Sequence, residues 1–196
     1  MRQLGLRPLG LLLAVGAAAC AVPTRVDVRG PDFQGVTATR LRGNVLPTPP
    51  TGIGAIELNA ERLERPEEPF EYALLVEVRA EGLRVQNGES LEVVLGRDTV
   101  RLTRDSTTTF WARVDPTVRE QARYPAPDSL LMRLASAPDV VVAVRGAGWW
   151  ERRRLSEENR AVLSRWAQVY VRPDSVAPPL PEAGVSDSAQ GGRPPQ

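Results

Sequence analysis

The sequence predicts a mainly β fold, an antiparallel β-sandwich or open barrel with two short C-terminal helices, on three observations. Segments of alternating apolar and polar residues recur between positions 36 and 114 at spacings of roughly 8–12 residues. Turn residues separate them, whereas a parallel sheet would need a helix between each pair of strands. Only two stretches, both beyond position 127, carry apolar residues at helical spacing.

Taken in order, residues 20–35 are polar and broken by Pro23, Gly30 and Pro31, and read as a tether with one short strand at Arg25–Arg29. Val36–Leu41 alternates and is rich in β-branched residues, then Pro47, Pro49, Pro50 and Gly52 break the chain. Gly54–Ala60 alternates again and ends in the charged loop Arg65–Pro69. Tyr72–Arg79 is the next strand. Leu83–Gln86 then leads into Asn87-Gly88, a strong hairpin signal because both turn positions must accept positive φ. Leu91–Leu95, Thr99–Thr103 and Thr107–Val114 follow as strands, separated by turns at Gly96–Asp98 and Asp105-Ser106, and together read as an antiparallel meander.

The first helix is expected over Ser129–Ser136, capped by Asp128, with Leu130, Leu131, Leu134 and Ala135 on one face and Pro138 beyond its end. Val140–Arg145 is a strand, Gly146–Gly148 a turn and Trp149–Leu155 another strand. Ser156 caps the second helix. Glu157 and Glu158 suit its first turn, where the helix dipole favours negative charge. Val162, Leu163, Trp166 and either Val169 or Tyr170 form the stripe that docks on the sheet. Residues 36–172 are thus the β-rich domain. The last 24 residues, 173–196, hold six prolines and three glycines and too little apolar surface to offset their ordering entropy, so this tail is expected to be disordered.

Composition removes several chemistries. The chain has no histidine and one cysteine, and all 25 basic residues are arginine. Without imidazole there is no Ser-His-Asp or Cys-His nucleophile pair and no histidine metal site; without lysine there is no Schiff base. Basic and acidic residues, 25 and 24, interleave along the chain, so no basic face for nucleic acid is expected. No calcium-loop pattern and no Gly-x-Ser-x-Gly occurs. No catalytic residue, cofactor or metal site is therefore assigned.

The N-terminus supplies an address. Arg2 and Arg7 precede an apolar run, Leu9–Val15, too short to span a bilayer but of the length of a secretory core, and small residues Gly16–Ala19 follow. Residues 1–19 read as a signal peptide. The chain's one cysteine stands where the small residues end, and Ala17-Ala18-Ala19-Cys20 resembles the lipobox of the bacterial lipoprotein family, with Ala17 where that family prefers Leu. The resemblance implies cleavage before Cys20 and a diacylglycerol, usually with a third acyl chain, on that residue. It covers about the first tenth of the chain. At about 0.8 kcal/mol per buried methylene, two or three acyl chains hold a protein on a membrane essentially permanently. Ala21 is not the Asp that retains some family members at the inner membrane, so in a host with two membranes the resemblance implies the outer one, facing the periplasm.

Trp149-Trp150-Glu151-Arg152-Arg153-Arg154 is the most conspicuous surface candidate, because tryptophan and arginine favour interfaces. Trp149, Trp150, Arg152, Arg153 and Arg154 are its candidate residues. The plainer reading makes them one exposed strand with a tryptophan turned inward and arginines that discourage edge pairing. The expected function is a non-enzymatic binding or scaffolding domain of the cell envelope whose partners are the membrane, through the lipid, and an envelope protein or glycan. Two alternatives stay open: a carboxylate-dependent glycan hydrolase drawing on Glu89, Glu92, Asp98, Asp105 and Asp115, and a secreted protein without lipid.

Overall fold

A computed structural model describes residues 23–80, 84–114 and 117–171. The expected signal peptide, Cys20 and the tail at 173–196 lie outside them. Among the described residues ten strands and two helices follow one another as β1 (Arg25–Arg29), β2 (Thr37–Arg42), β3 (Ala55–Glu64), β4 (Glu71–Ala80), β5 (Glu89–Leu95), β6 (Asp98–Thr103), β7 (Asp105–Val114), β8 (Thr117–Pro125), α1 (Asp128–Ser136), β9 (Val140–Gly146), β10 (Trp149–Arg154) and α2 (Glu157–Tyr170). All pairings are antiparallel. They form a six-stranded sheet in the order β1-β2-β3-β4-β8-β7 and a four-stranded sheet in the order β10-β9-β5-β6. The fold is mainly β, with two separate antiparallel sheets.

One core joins both sheets and both helices. Ile56, Leu58 and Ala60 of β3, Leu74, Val76 and Val78 of β4, and Ala122 and Tyr124 of β8 face Leu91 and Val93 of β5 and Val140, Val142 and Val144 of β9. Leu130, Leu131 and Leu134 of α1 and Val162, Leu163 and Trp166 of α2 complete it. In the α2 stripe Tyr170 turns inward, packing on Trp166, while Val169 is 59% exposed. Ser156 caps α2 as expected, in a reciprocal box: its hydroxyl accepts from Asn159 N, and Asn159 Oδ1 accepts from Ser156 N. Asn159 also donates to Asn44 Oδ1 and Val45 O, which fastens the helix start to the β2–β3 connection.

Several elements differ from the sequence reading. The meander does not stay in one sheet: β5 and β6 belong to the small sheet, while β7 returns to the large one. Leu83–Gln86 is no strand in its described part; Val85 makes only an isolated bridge to Gly146, and residues 81–83 lie outside the described set. Two main-chain hydrogen bonds, Gln86 N to Arg145 O and Ala147 N to Arg84 O, tie it to β9 and the turn after it, and a buried ion pair holds it from the other side. Arg104 Nη1 donates to Val85 O, Val85 N donates to Glu120 Oε2, and Arg104 and Glu120 meet at 2.7 Å. Asp105 opens β7 rather than a turn, so the break between β6 and β7 is Arg104 alone. α1 has Pro127 at its N-cap and no side-chain cap; Asp128 is its first helical residue. Strand β8 was not expected at all. The large sheet begins with the short strand expected at Arg25–Arg29, which pairs with β2 over five residues and so belongs to the domain rather than to the tether.

Candidate functional site: two arginine faces

The face of the large sheet turned away from the core carries charged and polar residues along β1 to β4 and β8, interrupted by Ala38, Leu63, Ala73 and Leu75. Register sets like charges opposite each other: Glu57 against Glu77, and Arg79 against Arg119. Such pairs repel unless opposite charge reaches them diagonally. Here it does. Arg79 donates from Nη2 to Glu57 Oε1 at 2.7 Å and from Nε to Glu77 Oε1 at 2.8 Å, and Arg119 Nη2 meets Glu77 Oε2 at 2.7 Å. Further along, Glu61 receives Arg40 at 2.5 Å and Arg123 at 2.7 Å. Glu61 is only 1% exposed although it points away from the core, because long guanidinium side chains from β2 and, across β4, from β8 lie over it. Removing one partner from such a lattice strands a buried charge.

The small sheet's outer face is built differently. Trp150 is opposite Arg145, Arg152 opposite Ala143, and Arg154 opposite Val141; Glu92 lies between Ala143 and Arg101. Trp150 is 53% exposed and sits between two guanidiniums, Arg145 at 5.2 Å and Arg152 at 5.8 Å from the ring centre. Among the described residues no carboxylate forms an ion pair with either arginine. Arg154 and Asp139 meet at 3.3 Å, both largely exposed. A cavity of about 200 Å³ lined by Glu89, Ser90, Glu92, Arg101 and Arg145 opens beside the cluster.

The predicted run therefore divides along the strand. Trp150, Arg152 and Arg154 stand on the outer face. Trp149 turns inward and folds over Gly146, where an added Cβ would lie 1.8 Å from Trp149 Cε2. Arg153 is not a surface residue: it is 2% exposed, paired with Glu151 at 2.7 Å, and donates to Pro47 O and Gly54 O. Period-two alternation on an edge strand places it there, and it fastens β10 to the β2–β3 connection. Gly52 makes room for this pair, since a side chain there would meet Arg153 Nη2 at 2.7 Å.

Arg145 was missed as a surface candidate. Its signal lay in the alternation of Val140–Arg145 just before a glycine turn, which makes it the cross-strand neighbour of Trp150. Of the acids considered for hydrolysis, Glu89 and Glu92 line the same small cavity, Asp98 pairs with Arg133, Asp105 with Arg123, and Asp115 lies outside the described residues. Among the described residues no group of three or more metal-ligating side chains gathers, and no helix is long and apolar enough to cross a membrane. Compared with known proteins, the chain matches no family model, no curated protein and no solved structure.

Proposed function

We propose that the chain is an exported lipoprotein of the bacterial cell envelope, held on its membrane by lipid on Cys20, and that its sandwich is a non-enzymatic binding domain. In a host with two membranes it sits on the outer one and faces the periplasm. The binding surface is the Arg145–Trp150–Arg152 cluster, and its partner is an anionic envelope protein or glycan. One observation carries this reading: two guanidiniums lie against an exposed indole, and among the described residues no carboxylate is paired to them. Stacking restrains each arginine while leaving its planar fork of donors open, so an incoming carboxylate or phosphate finds it preorganised. Aromatic and arginine side chains also dominate binding energy where interfaces are measured.

Two experiments test the two halves. Cells given labelled palmitate should label the natural chain and leave Cys20→Ala unlabelled and released from the membrane; equal labelling of both rejects the anchor. A photocrosslinking residue at Ala147, in the exposed β9–β10 turn, should yield a discrete adduct in intact cells that disappears in Arg145→Gln/Arg152→Gln. An adduct unchanged by that double substitution, or none at all, rejects the surface.

A further inference from the structure

The paired lattice on the large sheet leaves Arg123 Nη2 without a hydrogen bond, and it is incomplete again around Glu57 and Glu77. A cavity of about 260 Å³ opens there, lined by Arg25, Arg42, Arg79 and Arg119 with Glu57 and Glu77. Both glutamates are already engaged. Glu57 Oε1 takes Arg79, and its Oε2 takes Gly43 N at 3.2 Å and Asn59 Nδ2 at 3.1 Å; both oxygens of Glu77 are held by Arg79 and Arg119. The arginines are not saturated in return. Arg119 Nε is buried with no hydrogen-bond partner, and so is Arg42 Nε, which lies 3.0 Å from Asp27 Oδ2 but out of line for a hydrogen bond. Four guanidiniums against two clamped carboxylates, with Asp27 at the rim between Arg25 and Arg42, leave the cavity with an excess of positive charge. Partial burial, then the nearby Arg29 and Arg40, hold the Arg42 guanidinium below its ordinary pKa, with Asp27 opposing them, while the hydrogen bond to Glu77 holds that of Arg119 above its own.

We infer that this cavity is a binding site for a phosphate monoester, seated between Arg42 and Arg119. The guanidiniums that line the cavity keep N–H donors beyond those given to Glu57 and Glu77, and a second set of acceptors brought by a ligand would engage them. The donors come from β1, β2, β4 and β8, and so converge from several sides. That arrangement suits a tetrahedral oxyanion with acceptors in three directions better than a planar carboxylate, and arginine forks match phosphate oxygens two at a time. The cavity holds more than a bare phosphate and leaves room for the esterified group. This site lies on the opposite sheet from the Trp150 cluster and stands independently of it and of the anchor.

Thermal unfolding of the purified full chain carrying Cys20→Ala, which can bear no lipid, tests the inference. Inorganic phosphate should raise the melting temperature in a saturable way, by about 5–10 °C at a hundredfold excess over Kd, while chloride at equal ionic strength does not. Arg42→Gln and Arg119→Gln should each weaken the response at least tenfold, whereas Arg152→Gln on the other sheet leaves it unchanged. An equal response to chloride, or a full phosphate response in both cavity variants, overturns the site. Should those variants fail to fold, broadening of the ³¹P line of phosphate by the chain with its arginines intact decides: broadening relieved by excess glycerol phosphate supports the site, and an unaltered line overturns it. Vesicles identify the source of the phosphate. Retention on phosphatidate vesicles but not phosphatidylcholine, reversed by inorganic phosphate, assigns a lipid head group. A phosphate-dependent melting shift without vesicle retention assigns a soluble ester.

Discussion

On the outer face of the six-stranded sheet, Glu57, Glu61 and Glu77 lie beneath arginines that reach over them. On the four-stranded sheet, Arg145 and Arg152 face solvent with an indole between them. Both faces are arginine-rich and both arise from period-two alternation. What separates them is the position of the carboxylates. On the large sheet each of these glutamates is gripped by arginine, which becomes part of the fold. On the small sheet Glu92 shares the face but pairs with Arg101, and among the described residues Arg145 and Arg152 form no ion pair. In a chain whose basic residues are all arginine, this difference separates guanidiniums tied to carboxylates of the fold from guanidiniums stacked on an exposed indole.

Substitutions that orphan a buried charge break the comparison most strongly. Arg153→Met leaves Glu151 without its partner and releases the carbonyls of Pro47 and Gly54. It should cost about 3–5 kcal/mol in urea unfolding. The pH dependence gives the next effect. Burial pushes the Tyr124 hydroxyl, 2.9 Å from Ser90 Oγ, up to about 12, against an ordinary value near 10. The unfolded chain then loses this proton before the folded one does. Its contribution is intact below about pH 10 and is lost as pH rises toward 12, about 2–3 kcal/mol in all. Denaturation at pH 9 and pH 12 should show that loss, and Tyr124→Phe should remove this part of the slope. Gly146→Ala forces Trp149 off the β9 backbone and should cost about 1–3 kcal/mol, with a shift in tryptophan emission. Smallest in stability is Arg145→Gln/Arg152→Gln, expected within about 0.5 kcal/mol of the natural chain while it abolishes the crosslinked adduct.

Much of this architecture was legible in alternation and turn residues: most strands, both helices and the Ser156 cap follow from patterns that neighbouring residues set among themselves. What was not legible depends on distant partners. β8 reads Thr-Val-Arg-Glu-Gln-Ala-Arg-Tyr-Pro, polar on both faces, because Arg119 and Arg123 serve glutamates on β4 and β3 while Glu120 serves Arg104. Local pattern cannot announce a strand whose polar residues are satisfied 16 to 62 positions away. Alternation likewise marks a strand without saying which sheet it joins, so the passage of β5 and β6 into the second sheet was hidden. The Trp149–Arg154 run was visible as a cluster; that Arg153 turns inward required knowing that Pro47 and Gly54 offer it carbonyls. The large-sheet cavity was invisible, since its arginines lie on four strands.

A pair of double-mutant cycles, read by urea unfolding, tests the division between the two faces most directly. For Glu61 and Arg123 the coupling should be at least about 2 kcal/mol, because both are buried and each satisfies the other. For Trp150 and Arg152, exposed and stacked, it should be about 0.5–1 kcal/mol. Equal couplings, or a larger one on the small sheet, would contradict the account.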